Sequence, residues 1–277
     1  MFLSREAGLA WPAIGPVAAD QPLAHPRETR VELTIVNPNP KYARVRLIDP
    51  PPTGYLLLGA VVEPALRRTP FPRRSPQKAA LLTALKAQAA SLERLEAVTK
   101  VTVYRAALLP PPNPDARRMA ARPANYDVVV LVETVTVDAV SDAEASPEYR
   151  KLHDTITSAA REHYLMPARC LRRVGDVDKT RPGLFLFNFF VAEDPAVALD
   201  LWDRLAAWYA VETGLDNSTL LGPTGPADYV FVNHARWDTS LPRFALGQFG
   251  KRSFFTYVLA NLRANHVAAM PILYRLA

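Results

Sequence analysis

The chain has 277 residues, is 49% hydrophobic and 22% charged, and carries a formal net charge of +6. It is long enough to bury a sizeable core without a metal, and its one cysteine, Cys170, excludes an internal disulfide framework. Proline is abundant at 26 residues and glycine scarce at 11, which sets the chain apart from Pro/Gly-rich low-complexity sequences.

No run reaches the ~18 apolar residues that span a bilayer. Met1 to Ala19 reads as a poor leader, because Pro12, Gly15 and Pro16 interrupt it and Glu6 cancels Arg5. A single free thiol suits a reducing compartment, so a cytoplasmic protein is expected. The positive charge invites a polyanion, but the arginines come as scattered pairs (Arg67-Arg68, Arg73-Arg74, Arg117-Arg118, Arg172-Arg173), as on solvated loops.

Residues 1–52 read as an irregular, proline-rich extension that adds a hairpin from Arg30–Val36 and Ala43–Ile48, with Asn37–Pro40 as the turn. Gly54–Glu63 is a strand. Ser75-Pro76 opens a helix, with serine as cap and proline at the first helical position. Val98–Leu109 and Tyr126–Val137 are strands by β-branched density. Ser146-Pro147 opens a second helix whose stripe runs Tyr149, Leu152, Ile156, Ala160, His163. A strand from Arg169 to Val174 completes β-α-β-β-α-β over residues 53–180.

The order repeats over residues 181–277. Leu184–Ala192 is a strand, Asp194-Pro195 opens a helix, and Gly214 ends it. Ser218–Leu221 and Tyr229–Trp237 are strands. Ser253 caps a helix, and Val267–Leu276 is the last strand, with Pro271 marking an edge or bulge. Runs such as Val128–Val132 and Leu184–Phe187 are apolar on both faces, so something must cover the second face of each sheet. In a tandem chain the natural cover is the other repeat.

The element order, together with LFLFNFF (184–190) and YVFVNHARW (229–237), resembles the dimeric α+β-barrel superfamily. That group includes stress-responsive barrel proteins and antibiotic-biosynthesis monooxygenase-like proteins. The resemblance covers roughly residues 53–277. It implies an α+β fold in which two ferredoxin-like units pack sheet to sheet, here within one chain. It also implies a small-molecule cavity between the sheets, but no single chemistry, because members include cofactor-free oxygenases, haem enzymes and isomerases.

Polar residues inside apolar strands are the candidates for chemistry, since burying them costs free energy unless they are paired. Asn188 lies among phenylalanines and reads as a ligand-orienting amide or one satisfied by backbone. Glu133 interrupts the Val129–Leu131 face and reads as a general base or a rim carboxylate paired with arginine. His234 and Arg236 share a face with Val230 and Val232, as base and anion stabiliser or as solvated strand-end residues. Trp237 points the other way, as helix-packing core or cavity wall. Tyr104 lies on the more polar face of its strand, with Lys100 and Thr102. The segment Gly247–Ser253 is not a phosphate loop, yet Lys251 and Arg252 before a helix could hold an anion.

The expected function is therefore binding of a small, largely apolar molecule between the sheets, with oxygenation or isomerisation open. His234, Arg236 and Glu133 would be the catalytic set, and Asn188, Tyr104 and Trp237 the ligand contacts. No cofactor is required. Haem would need His266 or His163, each read first as a helix-terminal histidine. No metal-ligand spacing occurs. The protein is expected to be a monomer or homodimer. Two alternatives stand beside this reading. One is a filled barrel with a structural role. The other is RNA recognition, which needs Phe185, Tyr229 and Phe231 exposed on an open sheet.

Overall fold

The computed structural model describes residues 32–63, 69–111 and 113–277. The leader-like stretch and Arg67-Arg68 lie outside the described residues. The first repeat contains β1 (Gly54–Val61), α1 (Pro76–Leu92), β2 (Val98–Leu108), α2 (Pro114–Arg118), β3 (Val128–Thr134), α3 (Ala139–Ala145), α4 (Pro147–Ala159) and β4 (Glu162–Gly175). The second contains β5 (Leu184–Ala192), α5 (Pro195–Thr213), β6 (Ser218–Pro223), β7 (Phe231–Trp237) and α6 (Leu241–Phe249). A π-helical stretch (Phe254–Leu259), α7 (Ala260–Ala264) and β8 (Val267–Leu276) complete it.

Local chemistry explains the helix starts. Ser75 accepts from the Lys78 amide, Ser146 from that of Tyr149, and Asp194 from those of Ala196 and Val197. Each cap is followed by proline, whose missing N–H costs nothing at that position. Gly214 ends α5 in the left-handed region, at φ 69°.

The eight strands form one closed antiparallel barrel in the order β1-β3-β2-β8-β5-β7-β6-β4. Each βαββαβ unit supplies four neighbouring strands. The units join by hydrogen bonds at both edges, β2 to β8 and β4 to β6. The sheets cover each other's inner face as expected, but through edge pairing. Closure gives every strand a hydrogen-bonded neighbour on each side, although at the β2–β8 seam the pairing covers only Tyr104–Leu108 and Leu273–Leu276.

Several boundaries differ from the sequence reading. No hairpin forms between Glu32 and Thr53. There the chain runs extended, with one 3₁₀ turn at Pro40–Tyr42 and one isolated bridge from Ile48 to Arg173. It is held by two asparagines. Thr34 exchanges two hydrogen bonds with the Asn265 carboxamide (2.8 and 2.7 Å), and Val36 does so with Asn261 (2.7 and 3.0 Å). Two residues of extended chain span about 6.6 Å and four of helix about 6 Å, so the spacings match. Helix α4 stops at Ala159 because Ala160 is extended, so His163 belongs to a strand longer than expected. Ser253 does not cap; its hydroxyl accepts from Trp208 Nε1 at 3.1 Å. Ser240 caps α6 instead.

Strand alternation divides the apolar side chains into barrel interior and helix-facing layers. Leu57, Val129, Phe185, Phe187, Phe189 and Tyr274 are among those inside. Leu56, Val128, Val130 and Val132 face α1 and α4. Phe190 and Phe231 face α5 and the π stretch. Gly59 permits one close approach: a Cβ there would lie 2.8 Å from the buried Tyr126 ring. Among the described residues no helix is long and apolar enough to cross a membrane.

Candidate functional site

β5 and β7 carry the polar candidates, and they present two faces. On the inner face His234 is fully enclosed. Its ring stacks on Phe187 at 4.2 Å, with Tyr104 edge-on at 5.5 Å. Nδ1 lies 3.0 Å from the Leu186 carbonyl and Nε2 lies 3.1 Å from the Tyr104 hydroxyl. A carbonyl only accepts, so Nδ1 carries the proton and Nε2 accepts from Tyr104. Burial, and then the Lys179 charge, lowers the imidazole pKa to about 3, so it is neutral. Burial pushes the Tyr104 phenol well above its ordinary range.

Arg236 is 3% exposed and sits over the Phe185 ring at 5.8 Å. Its Nη2 donates to the Pro182 carbonyl and to Asp238. Glu133 pairs with Lys179 at 3.1 Å, so its partner is lysine where arginine was expected. Thr102 Oγ1, Glu133 Oε1 and Arg236 Nε are buried atoms without a hydrogen-bond partner among the described residues. At the opposite side of the interior Tyr126 and Tyr229 pair their hydroxyls at 2.9 Å, and Tyr274 donates to the Tyr126 carbonyl at 2.7 Å.

The outer face of the same strands opens onto a cavity of about 350 Å³ between the second sheet, α5, α6 and the π stretch. Asn188 and Asn233 are directly opposed partners across β5 and β7. Asn233 Oδ1 accepts from Trp202 Nε1 at 3.2 Å and from Ser218 Oγ at 2.6 Å. Asn188 Oδ1 is buried and has no partner among the described residues. The rest of the wall is mostly apolar, including Phe190, Trp202, Leu205, Ala206, Phe254 and Val258. Phe249 and Phe255 also line it and are about half exposed, at 52% and 50%. Pro110, Pro111 and Asn113, from the first repeat, border it as well. Asn113 Nδ2 ties that loop down by donating to the Ala269 carbonyl at 2.7 Å.

No protein-family model and no curated protein matches the sequence. Solved structures do. An anthrone oxidase-like protein superposes with a TM-score of 0.56 at 13% identity, over 81% of this chain and 91% of its own. A Fusobacterium nucleatum protein, named as a candidate monooxygenase, superposes at 0.52 and 8% identity, over 83% and 94%. At these identities the likeness is one of fold.

The chain has a ferredoxin-like α+β-barrel fold.

This α+β barrel closes within one polypeptide. It gathers His234, Tyr104, Arg236 and Glu133 on the barrel interior and places Asn188 and Trp237 on the outer face, lining the cavity. Asn188 was expected inside with the others; it alternates instead with Phe187 and Phe189, which take the inner positions. Trp237 packs on Phe244 at 4.8 Å and donates to Thr213 at 3.0 Å. Lys251 donates to the Glu212 carboxylate at 2.6 Å and to its carbonyl, while Arg252 is exposed. Phe185, Tyr229 and Phe231 are all buried, so the stacking platform that RNA recognition requires is closed.

Ser218, Asn233, Trp202 and Gln248 line the cavity of the α+β barrel and were not singled out from sequence. Asn233 had the same signal as Asn188, a carboxamide in an apolar strand, but its neighbour His234 drew attention to the other face. His163 and His266 are exposed, and the cavity wall holds no histidine, cysteine or methionine. The wall therefore does not fit a haem ligated by those residues.

Proposed function

We propose that this chain binds a small, planar, largely apolar molecule in the outer cavity of its second repeat, with a polar group aimed at Asn188. The single observation that carries this reading is the buried, partnerless Asn188 Oδ1 in an otherwise apolar wall. A cavity of about 350 Å³ lies within the range of small-molecule sites, which join apolar walls to a few placed polar groups. An acceptor left without a donor costs about 1–3 kcal/mol, which a ligand hydroxyl or N–H would recover. This relocates the expected ligand from between the sheets to the helix side, because aromatic side chains pack the barrel interior around Phe187.

The names of the two structural neighbours favour an oxygenase-type reaction on an activated aromatic ketone or phenol. Such a reaction at a methylene would turn CH₂ into C=O. Dioxygen accepts the electrons, and its second oxygen atom leaves as water. The wall would hold and orient the substrate. Asn188 would hydrogen-bond its enol, and Trp202 and Phe254 would exclude water. The wall carboxylate Asp115 is already paired with Arg263 at 3.0 Å, so the substrate would meet dioxygen as the neutral enol whose hydroxyl donates to Asn188 Oδ1.

Anthrone, whose enol tautomer carries a phenolic hydroxyl, is a suitable probe. Trp202 and Trp237 line the cavity, so tryptophan quenching reads its occupancy. Saturable quenching is expected, weakened about tenfold by Asn188→Leu and abolished by Ala206→Phe, which fills the space. Equal quenching in Ala206→Phe would overturn the site. Oxygen uptake above the uncatalysed background in wild type, and absent in Ala206→Phe, supports the oxygenase reading. Binding without such uptake leaves a binding protein.

A further inference from the structure

A second open site lies beside the seam where β2 and β8 join the two sheets, and it shares no lining residue with the apolar cavity. A groove of about 700 Å³ runs along α1. Arg73 and Arg74 line it from the loop before α1, Lys86 from α1, Arg105 from β2 and Arg275 from β8. The paired arginines therefore do not all scatter: one pair converges here with Arg105 and Arg275, about 30 and about 200 positions further along the chain.

None of these five side chains makes an ion pair or side-chain hydrogen bond among the described residues. The nearby acids are engaged elsewhere. Asp127 holds Lys78 at 2.5 Å, and Glu63 accepts from Ser75. Ala277 also lines the groove. Arg105 and Arg275 stand directly opposite each other in the β2–β8 register. Like charges in that relation destabilise a sheet. Burial, and then the charges of Arg74 and Arg275, holds the Arg105 guanidinium below its ordinary range. The floor beside them is apolar, with Leu82, Ala106 and Leu241.

We propose that this groove binds a small polyanion, a molecule with two or more phosphate or carboxylate groups on a compact body. Arg105 and Arg275 would form the central fork, and Arg73, Arg74 and Lys86 the flanks. Guanidinium groups bind both acid types bidentately, and a shared anion turns the opposed pair from a repulsion into a site.

Inorganic pyrophosphate and citrate serve as probes on the full chain, by calorimetry and thermal unfolding at low salt. At least one is expected to bind saturably and raise the melting temperature, with affinity falling as salt rises. Tighter pyrophosphate assigns phosphates, and tighter citrate assigns carboxylates. Arg275→Leu is expected to weaken binding by about tenfold or more, yet to unfold at a higher temperature than wild type without anion. Arg73→Ala with Lys86→Ala, both exposed, is expected to weaken binding several-fold with the fold intact. The proposal is overturned if neither anion binds, or if Arg275→Leu binds as wild type does. It is equally overturned if an oligouridylate binds far more tightly than either anion and loses that binding in Arg275→Leu, since the groove would then serve nucleic acid.

Discussion

The helix-facing sides of the two sheets share an element order and end differently. In the first repeat Val128, Val130 and Val132 meet α1 and α4 through Leu85, Leu92, Leu152 and Ile156, all fully buried. Two regular helices lie on one flat valine surface, and the layer closes. In the second repeat Asn188 and Asn233 occupy the middle of the surface, and a π-helical stretch replaces a regular helix. Wider π turns are often found at functional sites. That layer stays open over about 350 Å³. The lesson is that a repeated topology gives two similar surfaces, and a few polar side chains with one irregular helix turn decide which of them becomes a site.

The largest test strikes the closed layer. Asp127 accepts from Lys78 and from the amides of Val62 and Glu63, all within the first repeat. Asp127→Ala leaves a buried ammonium without its partner and is expected to cost about 3–5 kcal/mol by denaturant unfolding. Matched truncations then compare the two layers directly. Leu85→Ala, in the closed layer, should cost about 4 kcal/mol, and Leu205→Ala, beside existing space, about 2. Equal costs would mean that the second layer is as tightly packed as the first.

The inner face answers to pH. The folded His234 pKa, about 3, lies below its unfolded value, so the unfolded chain binds the extra proton. Stability from this residue is therefore full above about pH 6.5 and declines as pH falls toward 3, with a slope approaching 1.4 kcal/mol per unit. His234→Gln should flatten that slope in melts between pH 7 and 4; an unchanged slope would assign it to carboxylates. The smallest effect belongs to the cavity. Ala206→Leu fills part of it and should raise stability by about 1 kcal/mol while weakening anthrone. Destabilisation instead would show a layer with no spare room.

Much of the architecture was legible in the chain. Ser75-Pro76, Ser146-Pro147 and Asp194-Pro195 announce helices because a side-chain oxygen and a missing N–H solve the same local problem. Strands β5 and β8 begin and end where their apolar runs do. Weak local signals announce no helix at two places. Helix α3 lies in a small-residue stretch with no cap bond, and α6 directly precedes the basic Gly250–Arg252 turn. The candidate site was half legible. Polar residues inside apolar strands were found, because alternation makes them conspicuous. The side taken by Asn188 was not, because a strand apolar on both faces does not say which face is the barrel.

Composition, alternation and capping are properties of neighbouring residues, and from them came the two βαββαβ units, the need to cover both faces of each sheet, and the short set of buried polar candidates. Other features depend on residues brought together from far along the chain. The prolines at 110 and 111 close a cavity of the opposite repeat, the Asn188 and Asn233 side chains meet across a register, and Arg105 faces Arg275 at the seam. Barrel closure sets these juxtapositions. Hydrogen bonding at the two seams fixes which strand ends meet, and that choice is made by the whole sheet at once.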